Sequence, residues 1–238
     1  MGPDKGMLYL LHVVRPGRRI PVWSVLKRLD LLKDHIRREH PELQVEVHVR
    51  RGYFVERLII DHAKTFSPDL IIIGKRQDRR WWQSFRSISP RALARKTDCP
   101  VLTVKQGGLD SRTRIIVIPI SDRLPERKLE WGILLARKYK AQIHLLALRE
   151  GNEEGQMPGV FLRAYHFLRE RLRRPIEFSS SMQHNPAKAA LDYAEMVKAD
   201  LILVNPETES WVGGLWWPRH ISDLAGNDSG LQVLEVGM

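Results

Sequence analysis

The sequence has few of the features that mark a secreted, membrane-spanning or metal-binding protein. Cys99 is the only cysteine among 238 residues, which excludes an intramolecular disulfide framework and a cysteine-cluster zinc site. Apolar runs are short, as at residues 70–73, whereas a membrane-spanning helix needs about 20 apolar residues. Residues 1–6 lack the basic start, apolar run and small-residue cleavage site of a signal peptide. We therefore expect a cytoplasmic protein without a membrane segment.

Acidic residues are scarce relative to basic ones in the first part of the chain. Residues 1–110 contain 22 Lys and Arg against 12 Asp and Glu, whereas the remainder is almost balanced and the whole chain carries +11. A positive field of this kind attracts anions, and the alternative is an ordinary solvated loop and helix face. The densest segment is 75–96, where one acid, Asp78, stands among Lys75, Arg76, Arg79, Arg80, Arg86, Arg91, Arg95 and Lys96.

Short apolar runs alternate along the chain with segments of helical periodicity. The runs predict buried strands, and apolar residues repeated at helical spacing predict amphipathic helices. Ser89-Pro90 and Asn185-Pro186 predict helix starts, because Ser or Asn caps a helix and Pro fits its first turn. Strands that alternate with helices predict an α/β fold of doubly wound parallel sheets. The strands are predicted at 8–14, 44–49, 69–74, 100–104, 115–120, 143–148, 176–179, 200–204 and 232–236.

The two halves of the chain carry matching segments in the same order. Asp69-Leu-Ile-Ile-Ile matches Asp200-Leu-Ile-Leu-Val, and Val101-Leu-Thr-Val matches Val233-Leu-Glu-Val after a nearly equal interval. Each interval also contains a pair of tryptophans. Several ordered matches at similar spacing indicate two tandem copies of one module.

The repeat predicts a first module at residues 1–106, a linker at 107–112 and a second module at 113–238. The copies are unequal, because residues 115–140 supply an opening strand and helix that have no counterpart in the first half. In a doubly wound sheet the opening strand usually lies centrally. The sequence leaves open several explanations for this missing strand and helix. The chain is a fragment, its start site is misplaced, a rearranged segment fills the gap, or another chain supplies the strand.

The tryptophan pairs are Trp81-Trp82 and Trp216-Trp217. Because Trp is enriched at protein contacts, they predict anchors where the two modules, or two chains, meet. The alternative is a stacking platform for single-stranded nucleic acid at Trp81-Trp82, where Arg79, Arg80 and Arg86 are close in sequence.

The strand at 69–74, followed after a loop and a helix by Cys99-Pro-Val-Leu-Thr-Val104, resembles the universal stress protein family. Ile118-Pro119-Ile120 and Ala199-Asp200-Leu-Ile-Leu-Val204 extend the resemblance to the second half, so the chain resembles the family in tandem form. The resemblance implies flavodoxin-like modules, similar to adenine-nucleotide α-hydrolases. It also implies dimerisation through the last strands, either between two chains or as an intramolecular pseudo-dimer of 101–104 with 233–236.

The resemblance further implies a phosphate loop after the fourth strand of each module, since some family members bind ATP. Those members carry Gly-x-x-Gly, nine residues, and then Gly-Ser or Gly-Thr, which lets backbone N–H groups approach phosphate. In the first half only Gly74 matches, while Gln77 and Ser87 stand at the other glycine positions. In the second half Asn205 and Thr208 replace glycines. The loop is therefore degraded in both halves.

Arginine and lysine side chains can hold phosphate where backbone amides cannot. We therefore expect an anion, or an adenine nucleotide such as ATP, at the first module. The candidate binding residues are Gly74, Lys75, Arg76, Gln77, Ser87 and Ser89.

No catalytic residue and no metal site is predicted. The nine histidines lack metalloprotease spacing, and Cys99 before a proline at a strand start is interpreted as a buried structural thiol. The sequence thus predicts a non-enzymatic stress-response or regulatory binding protein. The alternatives are an ATP-binding protein with slow hydrolysis, and a protein that binds nucleic acid or an acidic partner through residues 75–96.

Overall fold

The structure is a computed structural model that describes most of the chain, in two compact units, Met1–Phe66 and Ser67–Met238. We call them the amino-terminal unit and the sheet unit. The described ranges are 6–17, 21–75, 88–105, 113–121, 123–149, 159–182, 185–207, 211–212, 219–220 and 231–237. No helix within these ranges is both long and apolar enough to cross a bilayer.

Two parallel strands and two helices form the amino-terminal unit. They are β1 (Met7–Val14), α1 (Val22–Glu39), β2 (Gln44–Arg51) and α2 (Val55–Phe66). The strands pair in register from Met7 opposite Gln44 to Val14 opposite Arg51. The predicted strands at 8–14 and 44–49 are confirmed. At the start of β2 the side chains alternate, since Val45 is buried while Gln44 and Glu46 are exposed.

A seven-stranded sheet forms the sheet unit. Its order is β3-β4-β11-β8-β5-β6-β7, and every neighbouring pair is parallel except β4 with β11. The strands are β3 (Ile71–Lys75), β4 (Val101–Lys105), β5 (Ile115–Ile120), β6 (Gln142–Arg149), β7 (Ile176–Met182), β8 (Leu201–Val204) and β11 (Gln232–Glu235). The helices are α3 (Pro90–Thr97), α4 (Glu126–Tyr139), α5 (Gly159–Arg171) and α6 (Pro186–Met196). A short antiparallel pair, β9 (Trp211–Val212) with β10 (Arg219–His220), was not predicted.

Helices cover both faces of the central strands, which is the doubly wound arrangement that the alternation predicts. On one face Ile118 and Leu203 pack with Leu129 of α4 and Phe161 of α5. On the other face Val117, Ile202 and Val233 pack against α6, whose alanines allow a close approach. Since β5 and β8 are covered on both sides, their sequences are continuously apolar rather than alternating.

The two strands that close the sequence halves, β4 and β11, lie side by side. Their pairing is antiparallel, with Thr103 opposite Val233, Leu102 opposite Leu234 and Val101 opposite Glu235. The expected contact between residues 101–104 and 233–236 is therefore present within one chain. The module boundaries at 106 and 113 describe a sequence repeat and stay a prediction.

The first half has no counterpart of β5 among the described residues. There β1 pairs only with β2, and β3 pairs only with β4. The run at 70–73 had suggested a strand covered on both faces, and this expectation is wrong for Ile72, which is 56% exposed. The reason is that β3 lies at the edge of the seven-stranded sheet rather than inside it.

Candidate functional site

The predicted phosphate-binding residues of the first half fall only partly within the described ranges. Gly74 and Lys75 end β3, and Ser89 begins α3, whereas Arg76, Gln77 and Ser87 lie outside those ranges. A Cβ built on Gly74 would have no heavy atom within 4 Å. The described packing therefore does not require glycine at position 74, so a side chain there would be tolerated by the fold.

Helix α3 begins at the predicted cap. The Ser89 Oγ accepts a hydrogen bond from the Ala92 backbone N at 3.2 Å, and Pro90 occupies the first turn. Arg91 and Arg95, two of the basic residues in the segment 75–96, lie on this helix in the sheet unit. Its N-terminus carries a partial positive charge, which favours anions nearby.

The loop after β8 is the place where the family resemblance predicts a second phosphate loop. The Asn205 side chain is buried, and its Oδ1 accepts a hydrogen bond from the Glu207 backbone N at 2.8 Å. Pro206 has no N–H to donate. Two backbone donors that a phosphate-binding nest would use in this loop are thus missing or occupied.

Helix α3 of the first half holds the same loop. The Arg91 Nε donates to the Pro206 carbonyl oxygen, and the Arg95 Nε lies 3.8 Å from the Glu207 Oε1. The second contact joins two half-exposed groups and contributes little to stability. Together these contacts connect residues 206–207 after β8 to helix α3.

The switch point of the sheet lies between β5 and β8, because β6 and β7 continue on one side and β11 and β4 on the other. Ligands of doubly wound sheets bind outside the carboxyl ends of the strands at such a point. Ser121 follows β5 there, and Asn205 follows β8.

Lys128, in the first turn of α4, is a buried cation that the sequence analysis did not identify. Its side chain is only 1% exposed, and its Nζ donates to the Pro119 carbonyl oxygen of β5 at 2.5 Å. The signal was available, since Lys128 shares a helical face with Gly132 and Ala136, four and eight residues later. The ammonium thus stands close to the carboxyl end of β5.

Cys99 has the environment of a structural thiol, as predicted. It is 5% exposed, and its Sγ lies 3.1 Å from the Pro68 carbonyl oxygen. Burial raises the pKa of the Cys99 thiol to about 11, so the thiolate required of a nucleophile is scarce at neutral pH.

Histidines make side-chain contacts at two places that sequence spacing did not indicate. In the amino-terminal unit the His48 Nδ1 and the His62 Nε2 are 3.2 Å apart, and the His48 Nε2 is 3.2 Å from the Glu46 Oε2. In the sheet unit the His144 Nδ1 lies 3.1 Å from the Tyr193 hydroxyl oxygen. Burial lowers the pKa of His62 and of His144. Across the described ranges, no group of three or more His, Cys, Asp or Glu side chains could hold a metal ion.

A comparison with known protein families finds a match for the first part of the chain. Residues 4–105 match the Universal stress protein family. No curated protein is significantly similar to the chain in sequence.

Several solved structures share the fold over nearly the whole chain. A universal stress protein from Archaeoglobus fulgidus is 15% identical with a TM-score of 0.63, over 98% of this chain and 86% of that one. A functionally unknown protein from Pseudomonas aeruginosa PAO1 is 16% identical with a TM-score of 0.60, over 98% and 83%. The cytoplasmic domain of a prokaryotic cation chloride cotransporter is 14% identical with a TM-score of 0.54, over 98% and 85%.

The fold alone does not fix an activity, because it occurs both in a universal stress protein and in the cytoplasmic domain of a cation chloride cotransporter. What the findings establish is narrower. Residues 4–105 carry a domain of the universal stress protein family, and the chain as a whole has the doubly wound α/β fold of universal stress proteins.

Proposed function

We propose that this chain is a non-enzymatic, cytoplasmic stress-response binding protein built from two universal-stress-protein-like modules, residues 1–106 and 113–238. The modules form an intramolecular pseudo-dimer through their closing strands. Support for this comes from the antiparallel pairing of β4 with β11, the two strands that the sequence repeat identifies as equivalent. The remaining linker is 107–112.

The loop after β8 is the observation that carries the proposal. A phosphate loop needs free backbone N–H groups, and here Pro206 has none while the Glu207 N–H is bonded to Asn205. The Arg91 contact with the Pro206 carbonyl joins the start of this loop to α3. We therefore infer a structural role for the second module, because in the described part of this loop, residues 205–207, neither Pro206 nor Glu207 offers a free N–H to a phosphate.

The ligand site of the proposal lies in the first module, between the end of β3 and the start of α3. Gly74 leaves space beside the strand end, Ser89 caps the helix, and the sequence between them is strongly basic. Arg and Lys side chains of this segment, beginning with Lys75 and Arg76, would hold an anion by charge. The class of ligand is an anion such as an adenine nucleotide.

A titration with ATP·Mg, preceded by native mass spectrometry of the gently purified chain, tests the proposal. We expect anion binding that is lost in Arg76→Ala/Arg79→Ala/Arg80→Ala, together with no release of phosphate from ATP. Gly74→Ala is the sharper variant, because its added methyl meets no atom and should leave stability unchanged. Gly159→Ala is the matched control, since its Cβ also has no neighbour within 4 Å.

The outcomes separate the proposal from its alternatives. Micromolar ATP affinity that falls in Gly74→Ala but not in Gly159→Ala identifies the anion as a nucleotide held close to the strand end. Steady phosphate release would overturn the non-enzymatic assignment. Binding of an oligonucleotide that weakens steeply as salt rises, with no ATP binding, would replace the proposal with nucleic-acid recognition. A second ATP site that survives the triple Arg variant would contradict the structural role of the second module.

A further inference from the structure

A cleft of about 500 Å³ opens at the amino ends of β5, β6 and β7. The switch-point site described above lies at the opposite, carboxyl ends of the strands. Its volume is in the range of small-molecule sites. It lies wholly within the sheet unit, among described residues. The cleft is lined by Thr113, Arg114, Tyr139, Lys140, Gln142, Arg174 and Pro175.

Three of the lining side chains are cations that come from three different connections. Arg114 precedes β5, Lys140 follows α4 as its C-cap, and Arg174 precedes β7. All three are exposed, and within the described ranges none of them forms an ion pair with a carboxylate. Concentrated positive charge that the fold leaves uncompensated attracts anions.

Two carboxylates that contact residues of the cleft are bound to neutral donors instead. The Asp200 Oδ2 accepts hydrogen bonds from the backbone N of Arg114 at 2.7 Å and of Ile115 at 3.0 Å. The Glu177 Oε1 accepts from the Gln142 Nε2 at 3.2 Å. The cleft therefore keeps an excess of positive charge even with these acids counted.

Hydrogen bonds hold the walls of the cleft in place. The Arg174 Nη1 donates to the Lys140 carbonyl oxygen at 3.1 Å, and the Gln142 backbone N donates to the Arg114 carbonyl oxygen at 2.7 Å. Arg174 uses one of its five N–H donors in this contact, so the others remain available to a ligand. A ligand would meet cations whose backbones are already fixed, which reduces the entropy cost of binding.

Tyr139 adds an aromatic surface to the same cleft. Its side chain is 45% exposed beside Lys140. Tyrosine rings stack on nucleobases, and guanidinium groups bind phosphate through paired hydrogen bonds. The arrangement suits a ligand with a multiply charged phosphate part and room for a planar group.

We propose that this cleft binds a compact anion carrying two or more phosphate groups, held by Arg114, Lys140 and Arg174. The site is separate from the one in the proposed function, since it lies at the amino rather than the carboxyl ends of the strands. It would be a second ligand site of the sheet unit, and the proposal does not depend on whether the loop after β3 binds a ligand.

Calorimetric titration of the full chain with inorganic pyrophosphate at low salt tests the inference. The Arg76→Ala/Arg79→Ala/Arg80→Ala protein is used as background, so that binding at the loop after β3 does not contribute. We expect Arg114→Gln/Lys140→Gln/Arg174→Gln to weaken binding by at least about 100-fold, since each charged hydrogen-bond partner is worth about tenfold or more.

Arg163→Gln/Lys188→Gln/Lys198→Gln is the matched control. It removes the same charge from the same unit at exposed positions, and Lys198 shares with Lys140 a positive φ, 53° against 55°. We expect the control to bind within about twofold of the background. Circular dichroism of every variant checks that the fold is kept.

Two further ligands identify the source of the phosphate. Tighter binding of ADP than of pyrophosphate, reversed by Tyr139→Leu, assigns the cleft to a nucleotide. Equal binding assigns it to inorganic polyphosphate, and preferential binding to phosphatidylcholine vesicles containing phosphatidylinositol bisphosphate assigns it to a lipid headgroup. The inference is overturned if none of the three probes binds, or if the control loses as much affinity as the cleft variant.

Discussion

The paired histidines of the amino-terminal unit should make its stability depend on pH. His62 is buried, its Nδ1 has no hydrogen-bond partner among the described residues, and its Nε2 faces the His48 Nδ1 at 3.2 Å. Burial lowers the pKa of His62 below 6.5, and the charges of His48 and Arg50 lower it further. Protonation of His62 in the folded unit therefore costs free energy that the unfolded chain does not incur.

The groups facing His62 decide how strong the effect is. His48 lies between His62 and the Glu46 carboxylate, and the Phe66 and Tyr9 rings pack within 4.5 Å and 6.2 Å of the His62 ring centroid. The only acid in this group thus contacts His48 rather than His62. None of these neighbours places a carboxylate in direct contact with a charged His62.

The direction and size of the pH effect follow from proton linkage. Because the folded pKa is lowered, the unfolded state binds the proton first as pH falls. The free energy of unfolding is thus constant above the unfolded pKa of about 6.5 and decreases below it. The slope approaches about 1.4 kcal/mol per pH unit for one proton, until the folded pKa is reached.

Native-state hydrogen exchange of the α2 amides, corrected for intrinsic rates, measures this slope between pH 7.5 and 5. His62→Phe should flatten it, since a phenyl ring fits among the aromatic neighbours without titrating. His35→Phe, at an exposed helical position, should keep the wild-type slope. The pKa of His12 is also lowered by burial, so a smaller slope remains in every protein. Equal slopes for wild type and His62→Phe would refute the reasoning.

Three further predictions concern the sheet unit. Gly132→Ala should lower the free energy of unfolding by about 1–3 kcal/mol, despite better helix propensity, because the new Cβ would lie 2.5 Å from the Ile118 Cδ1 in a packed core. Gly159→Ala should be neutral or stabilising, and denaturant melts that rank the two variants the other way would contradict the packing argument. Leu203→Ala, at a fully buried β8 position, should cost about 2–5 kcal/mol in the same melts, and a loss under 1 kcal/mol would show that the core refills. Cys99 should react with iodoacetamide at pH 8 far more slowly in native than in denatured protein, and equal rates would mean that the thiol is accessible.

The candidate site shows which features local sequence patterns can predict and which they cannot. Ser89-Pro90 predicted the start of α3 correctly, because capping depends on atoms within three residues of each other. The glycine pattern directed attention to the loops that follow β3 and β8, and their role in ligand binding stays a prediction. It could not indicate that Asn205 occupies the Glu207 N–H, or that Arg91, over a hundred residues away in the chain, binds Pro206.

The sequence by itself determined the alternation of strands and helices, because burial on two faces requires continuous apolar runs and burial on one helical stripe requires 3.6-residue periodicity. The repeat likewise predicted which strands are equivalent. Only the tertiary structure decided which distant groups meet. It placed His48 against His62, left Ile72 at a sheet edge, and gathered the cleft cations from three connections. These outcomes depend on strand order and helix packing, which involve contacts between residues far apart in the chain and leave no local signature in the sequence.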